Sequence, residues 1–139
     1  MHERKVVIVE SGNGKYGQFI TTGTHVFGAD EPEALGGMNT GPDPFELLLS
    51  GLGACTAMTI RMYADRKGMS LERVSVHLSH GRRSSQASGL GDRFERIIKL
   101  EGALSVEDRE KLLQIADRCP VSQTLQRSSE ISSSLEPNA

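Results

Sequence analysis

The chain contains no tryptophan, and aromatic residues make up only 4% of its 139 residues. A core built from it must therefore be aliphatic. Neither sign of charge dominates: a formal net charge of -2 and a pI near 6.1 exclude a long-range pull toward nucleic acid or an anionic membrane. No unbroken apolar run approaches the roughly 18 residues of a membrane span. The stretch Val6-Val7-Ile8-Val9 is too short for a signal peptide. Walker, GxSxG and CxxC patterns are missing, and although Gly12 to Gly17 has the letters of GxGxxG, Gly12-Asn13-Gly14 is a hairpin turn because no helix follows it. The four histidines show no ligand spacing. His77 and His80, three apart on a strand end, face opposite sides, so no metal site is expected from them. These absences leave a cytoplasmic chain whose length suits a single domain over residues 1–139.

Cysteine is scarce too, with two in all, Cys55 and Cys119. Such a pair can be two inert buried thiols, a structural disulfide or a redox couple. A buried free cysteine is most often a small hydrophobe. A disulfide closing so long a loop contributes on the order of 4 kcal/mol in the chain-entropy model, but would rarely persist in a reducing cytosol. A redox couple requires a thiolate, and a second sulfur within covalent reach.

What is present alternates between strand and helix patterns. Val6 to Glu10 reads as a strand, Phe19 to Thr22 as its return after a Gly-rich turn, and Thr24 to Phe27 as a third. Gly28 to Pro44, dense in Gly and Pro, reads as a loop. A long helix runs from Phe45 to about Lys67, with Asp43 as N-cap, Pro44 at the first position and Gly68 at its end. From Leu47 to Met58 it is apolar or small almost all round, the pattern of a helix covered on every side. A domain this small has few elements to supply that cover, and a symmetric second copy is the natural source. Leu71 to His80 alternates cleanly, with Val74, Val76 and Leu78 on one face. Gly81 to Gly91 is a polar excursion, and Phe94 to Leu100 is the answering strand, with Arg96 breaking its inward pattern. Ser105 to Asp108 resembles a capping box opening a helix through Ala116. A helical turn follows Cys119-Pro120, then a last strand near Ser129 to Leu135.

Cys119 carries a readable device for activation. If Pro120 starts a helix, Cys119 is its N-cap, where free backbone N–H groups favour a thiolate. Cys55, well inside the long helix, needs a neighbouring donor or cation. Glu46 reads first as a first-turn carboxylate that complements the helix dipole. It lies about 180° around the helix from Cys55.

Three stretches together resemble the OsmC/Ohr family of thiol-dependent peroxidases: Gly36 to Pro44, Glu46-Leu47-Leu48-Leu49 through Gly53-Ala54-Cys55-Thr56, and Cys119-Pro120-Val121. The resemblance implies an α+β OsmC-like fold, with antiparallel sheets around long buried central helices, in an intertwined homodimer without metal or organic cofactor. It implies that Cys55 is the peroxidatic cysteine and Cys119 the resolving one, with Glu46 as a further catalytic candidate. The implied substrates are organic hydroperoxides, and the implied reductant is a dithiol or a lipoylated protein. Leu48, Leu52 and Met58 would supply an aliphatic lining. The sequence departs from the family pattern at three points. Phe45 stands where well-characterised members carry Glu, no Arg occurs between Lys5 and Ile60, and Ser122-Gln123 replaces a common His-Arg. The missing arginine suits the alternative, a redox-sensing or thiol-binding protein with little peroxidase turnover. A cysteine hydrolase fits less well, since no His follows Cys119-Pro120-Val121.

Overall fold

A computed structural model describes residues 3–82 and 91–137. The chain divides into two compact units, Met1–Ser50 and Gly51–Ala139.

The first unit is built on an antiparallel sheet of three strands, β1 (Val7–Glu10), β2 (Gln18–Thr22) and β3 (His25–Ala29), in that order. Its register sets Ile8 opposite Ile20 and Ile20 opposite Phe27. The β1–β2 turn closes with the Ser11 amide donating to the Gly17 carbonyl at 2.9 Å, and Gly12 and Gly14 take the left-handed backbone that the turn needs. After β3 the chain folds around Asp30. This buried carboxylate accepts hydrogen bonds from the amides of Glu31, Met38 and Thr40 and, at 2.7 Å, from the Thr40 hydroxyl. A stretch dense in Gly and Pro is thus given one defined path by a single acceptor.

Helix α1 (Pro44–Arg66) opens on a reciprocal capping box. The Glu46 amide donates to Asp43 Oδ1 and the Asp43 amide to Glu46 Oε1, each at 2.8 Å. The helix ends at Gly68, whose φ of 67° supplies the left-handed stop. At an average hydropathy of 1.3 over 18 residues, α1 is long and apolar enough to cross a membrane on length and composition alone, although no unbroken apolar run suggested it.

In the second unit the rest of α1 lies with a ribbon of two long antiparallel strands, β4 (Leu71–Arg82) and β5 (Asp92–Gly102), and two helices, α2 (Val106–Ala116) and α3 (Pro120–Gln126). Ile60, Ala64, Leu71, Leu112 and Ala116 form the core, with Val74, Ile98 and Leu100 packed against it. Gly53 faces Leu78 so closely that an added Cβ would stand 2.6 Å from Leu78 Cδ1, which explains a glycine inside a helix despite its helix cost. Ser105 caps α2 by accepting from the Asp108 amide.

Within one chain the Gly51–Arg66 part of α1 does not bury every face, which leaves the rest of its expected cover to a second copy. Leu52, Thr56, Ile60 and Ala64 are buried at intervals of four residues, whereas Met58 and Met62 are 64% and 68% exposed. One ribbon and two short helices cover one side only. One expectation needs correction: the strand expected near Ser129 to Leu135 is absent. Residues 128–137 carry no regular element, and Ile131 and Leu135 are almost fully exposed. Most of the polar excursion from Gly81 to Gly91 lies outside the described residues.

Candidate functional site

Two elements of the second unit bring the cysteines together. Cys55 sits on α1 beside the buried stripe. After α2, the amides of Asp117, Arg118 and Cys119 donate to the carbonyls of Gln114, Ile115 and Ala116, a tight turn that swings Cys119 back under the helix. Cys119 leaves the helical conformation (φ -57°, ψ 121°), and Pro120, whose ring fixes φ and needs no donor, starts α3 at once. Cys119 is thereby the N-cap of α3, as the sequence suggested, and the Ser122 amide donates to its Sγ at 3.5 Å.

The two cysteine side chains are close enough for each to shift the acidity of the other, and neither is in a disulfide. They differ in access. Cys119 is completely buried. Cys55 borders a cavity of about 510 Å³ walled by Met58, Met62, Ile115 and Pro120, with Arg66 and Arg118 also on its lining. That volume and apolar wall suit a small organic molecule. Met58 lines the cavity as expected, whereas Leu52 is buried in the protein.

Their electrostatics differ as well. Burial pushes the Cys55 thiol up, its hydrogen bond to Cys119 adds to the rise, and the Val121 amide and Thr59 hydroxyl only partly oppose it. Burial also disfavours charge on Cys119, but four donors outweigh it: the Cys55 thiol, the Ser122 amide, the Thr56 hydroxyl and the Val121 amide. Cys119 is held below the ordinary thiol value, because each donor stabilises its thiolate.

Arg96 is the residue near this pair whose importance was not anticipated. On β5 it takes the inward position that breaks the apolar pattern, and its side chain is 16% exposed. Nη1 donates to Thr56 Oγ1 at 3.0 Å and to the Ala116 carbonyl at 3.1 Å, while Nη2 pairs with Asp117 at 3.3 Å. One side chain thus ties α1 to the end of α2. The break in alternation was the only sequence signal for it. Glu46 belongs to the first unit, where its carboxylate is engaged in the capping box. Among the described residues, no group of three or more His, Cys, Asp or Glu is arranged to hold a metal.

The family model described as OsmC-like protein matches residues 37–134, a stretch that includes both cysteines and Arg96. The chain belongs to the OsmC-like family. Solved OsmC-like structures share its α+β fold of antiparallel sheets and helices. The OsmC like protein from Mycoplasma pneumoniae is 20% identical with a TM-score of 0.75, covering 90% of this chain and 88% of that one. The organic hydroperoxide resistance protein OsmC from Legionella pneumophila is 24% identical with a TM-score of 0.67, covering 91% and 90%. The organic hydroperoxide resistance protein OhrB of Bacillus subtilis is 21% identical with a TM-score of 0.59, covering 88% and 90%. At these identities the likeness is one of fold. No curated protein matches the sequence significantly.

Proposed function

We propose that this OsmC-like chain is a thiol-dependent peroxidase that reduces organic hydroperoxides to alcohols. The observation that carries this reading is the proximity of two interacting cysteines, one bordering an apolar cavity and the other fully buried. Family membership and relatives named as hydroperoxide resistance proteins support it.

The Cys55 sulfur attacks the distal peroxide oxygen. The O–O bond breaks, the alkoxide leaves and is protonated to the alcohol, and Cys55, having given up two electrons, becomes a sulfenic acid. The Cys119 sulfur then attacks the sulfenic sulfur, the S–O bond breaks, and the departing hydroxide is protonated to water. A dithiol or a lipoylated protein reduces the resulting disulfide. An apolar wall favours alkyl hydroperoxides over hydrogen peroxide, because each buried methylene contributes about 0.8 kcal/mol. Glu46 acts at the start of α1 as a cap, and no step requires it. The active assembly is a homodimer, since Met58 and Met62 on α1 and Val7, Ile8 and Val9 on β1 are largely exposed in the single chain.

The test is thiol titration before and after one equivalent of cumene hydroperoxide, with mass spectrometry of the linkage. Loss of both thiols into a Cys55–Cys119 bond is expected, and unchanged thiols refute the enzyme. The second reading is a redox sensor, favoured by the lack of any Arg between Lys5 and Ile60. Steady turnover of dihydrolipoamide with cumene hydroperoxide supports the peroxidase, and oxidation that stops after one equivalent supports the sensor.

A further inference from the structure

Cys55 stands at one end of a stripe along α1. By the angular spacing of a helix, Met58, Thr59, Met62, Tyr63 and Arg66 all lie within about 80° of Cys55 around the axis, and all of them line the same cavity. Arg66 is the far end of that stripe. By the rise of a helix it stands about 16 Å from Cys55 along the axis. Side chains in a helix lean back toward the N-terminus, which shortens the gap between guanidinium and sulfur.

The charge at the Arg66 end has one sign. Arg66, Lys67 and Lys111 lie over the Tyr63 ring, 5.5, 5.8 and 5.9 Å from its centroid, and Arg118 joins Arg66 on the cavity lining. Among the described residues no carboxylate pairs with any of these four cations, in a chain whose net charge is -2. Contact with the ring offsets only part of their mutual repulsion. A cavity with low-dielectric walls and charge of one sign focuses its field on what enters. An anion is the complement of this end, and an apolar chain is the complement of the wall formed by Met58, Met62, Ile115 and Pro120.

We propose that Arg66 and Arg118 form an acid-binding subsite of the cysteine cavity, so that its occupant is an unbranched apolar molecule with a carboxylate at the end away from Cys55. Arginine suits the task, because its planar fork meets a carboxylate with two parallel N–H donors. The spacing along α1 then decides which part of the occupant reaches the thiol: the group farthest from the acid. Two molecules can supply that acid, the hydroperoxide or the dithiol that reduces the disulfide. Which group meets Cys55 in turnover rests on the peroxidase reading, whereas affinity for the acid does not.

The binding test titrates octanoate and octanamide into the reduced native chain by calorimetry. Octanoate is expected to bind about tenfold tighter, the size of one charge-assisted contact, and the advantage is expected to shrink as salt rises. Arg66→Gln combined with Arg118→Gln keeps polar side chains and is expected to bring the two affinities together, with the circular dichroism of the parent. Equal binding by the native chain overturns the proposal, as does an advantage that survives the double substitution. Should the double variant fail to fold, the single variants are read instead, where a reduced advantage in either supports the proposal and an unchanged one in both overturns it. Turnover identifies the source of the acid. One pair compares the terminal hydroperoxide of octanoic acid with that of its methyl ester, each with dihydrolipoamide. The other compares dihydrolipoate with dihydrolipoamide, each with cumene hydroperoxide. A preference for the acid in the first pair assigns the subsite to the oxidant, and in the second to the reductant. Turnover indifferent to the carboxylate in both pairs overturns this inference alone, and preferential octanoate binding without turnover of any peroxide overturns the peroxidase reading alone.

Discussion

Cys55 borders the cavity, yet burial and its sulfur neighbour raise its pKa, while Cys119 is shut away from solvent and held low. Access and the lowered thiol pKa therefore lie on different sulfurs. This division predicts unequal effects of removing each sulfur. Cys55→Ser abolishes peroxide consumption. Cys119→Ser leaves the first oxidation of Cys55 in place and removes its resolving partner. Repeated peroxide then drives Cys55 to sulfinic acid, read by mass spectrometry as two added oxygens. Equal losses in both variants, with no overoxidised species, contradict the division of roles. Much of this was legible in the sequence, because cysteine is rare and Cys119-Pro120 announces an N-cap. Arg96 was visible only as a flaw in an alternating strand. Its partners, Thr56 and Ala116, lie 40 and 20 residues away, and no local pattern encodes a contact made across such a separation.

Periodicity carries element-scale information well, and the residues here show where it stops. Val74, Val76 and Leu78 announced β4, and Asp43-Pro44 and Gly68 bracketed α1 close to its observed ends. The stretch from Asp30 to Thr40 has no period to read. Its path comes from one carboxylate satisfying the amides of Glu31, Met38 and Thr40, an arrangement that composition does not reveal. The Thr40 hydroxyl is the main donor holding Asp30 below the usual 3.8, with burial opposing and the three amides assisting. A carboxylate with a depressed folded pKa contributes stability that is fully present above its unfolded pKa, and that stability is lost as pH falls through the folded value. Amide exchange at Met38 and Thr40 is accordingly expected to stay protected at neutral pH and to lose protection below pH 3.8, relative to amides of β2 in the same samples. Asp30→Asn removes the anionic acceptor and is expected to show the low-pH exchange pattern at pH 7. Protection that is independent of both pH and the substitution contradicts this account. The absent strand near Ser129 to Leu135 is the opposite case. Isolated Ile131 and Leu135 among serines carry weak alternation, and among the described residues no sheet edge pairs with them.

At the scale of the whole molecule, the sequence of α1 says more than one chain can satisfy. A helix apolar or small nearly all round wants cover on every side, yet its second-unit part buries only the stripe through Leu52, Thr56, Ile60 and Ala64. Met58 and Met62 are left on the other side, and Val7, Ile8 and Val9 on β1 are more than half exposed as well. Soluble monomers rarely leave so many large apolar side chains in water on one element, and a twofold assembly of identical chains buries like surfaces against each other. The chain is therefore expected to sediment at twice its 15.1 kDa mass at micromolar concentration. Met58→Glu places a carboxylate on the exposed side of α1. If that side is covered in the dimer, the unpaired buried charge weakens self-association by on the order of a hundredfold, and the variant sediments as a monomer at concentrations where the parent is paired. Because the same side of α1 presents Cys55 and the cavity, dilution of the native chain below its dissociation constant should also reduce peroxide turnover per chain. A parent chain that stays monomeric at every concentration, with turnover per chain unaffected by dilution, leaves the apolar side of α1 uncovered and contradicts the dimer.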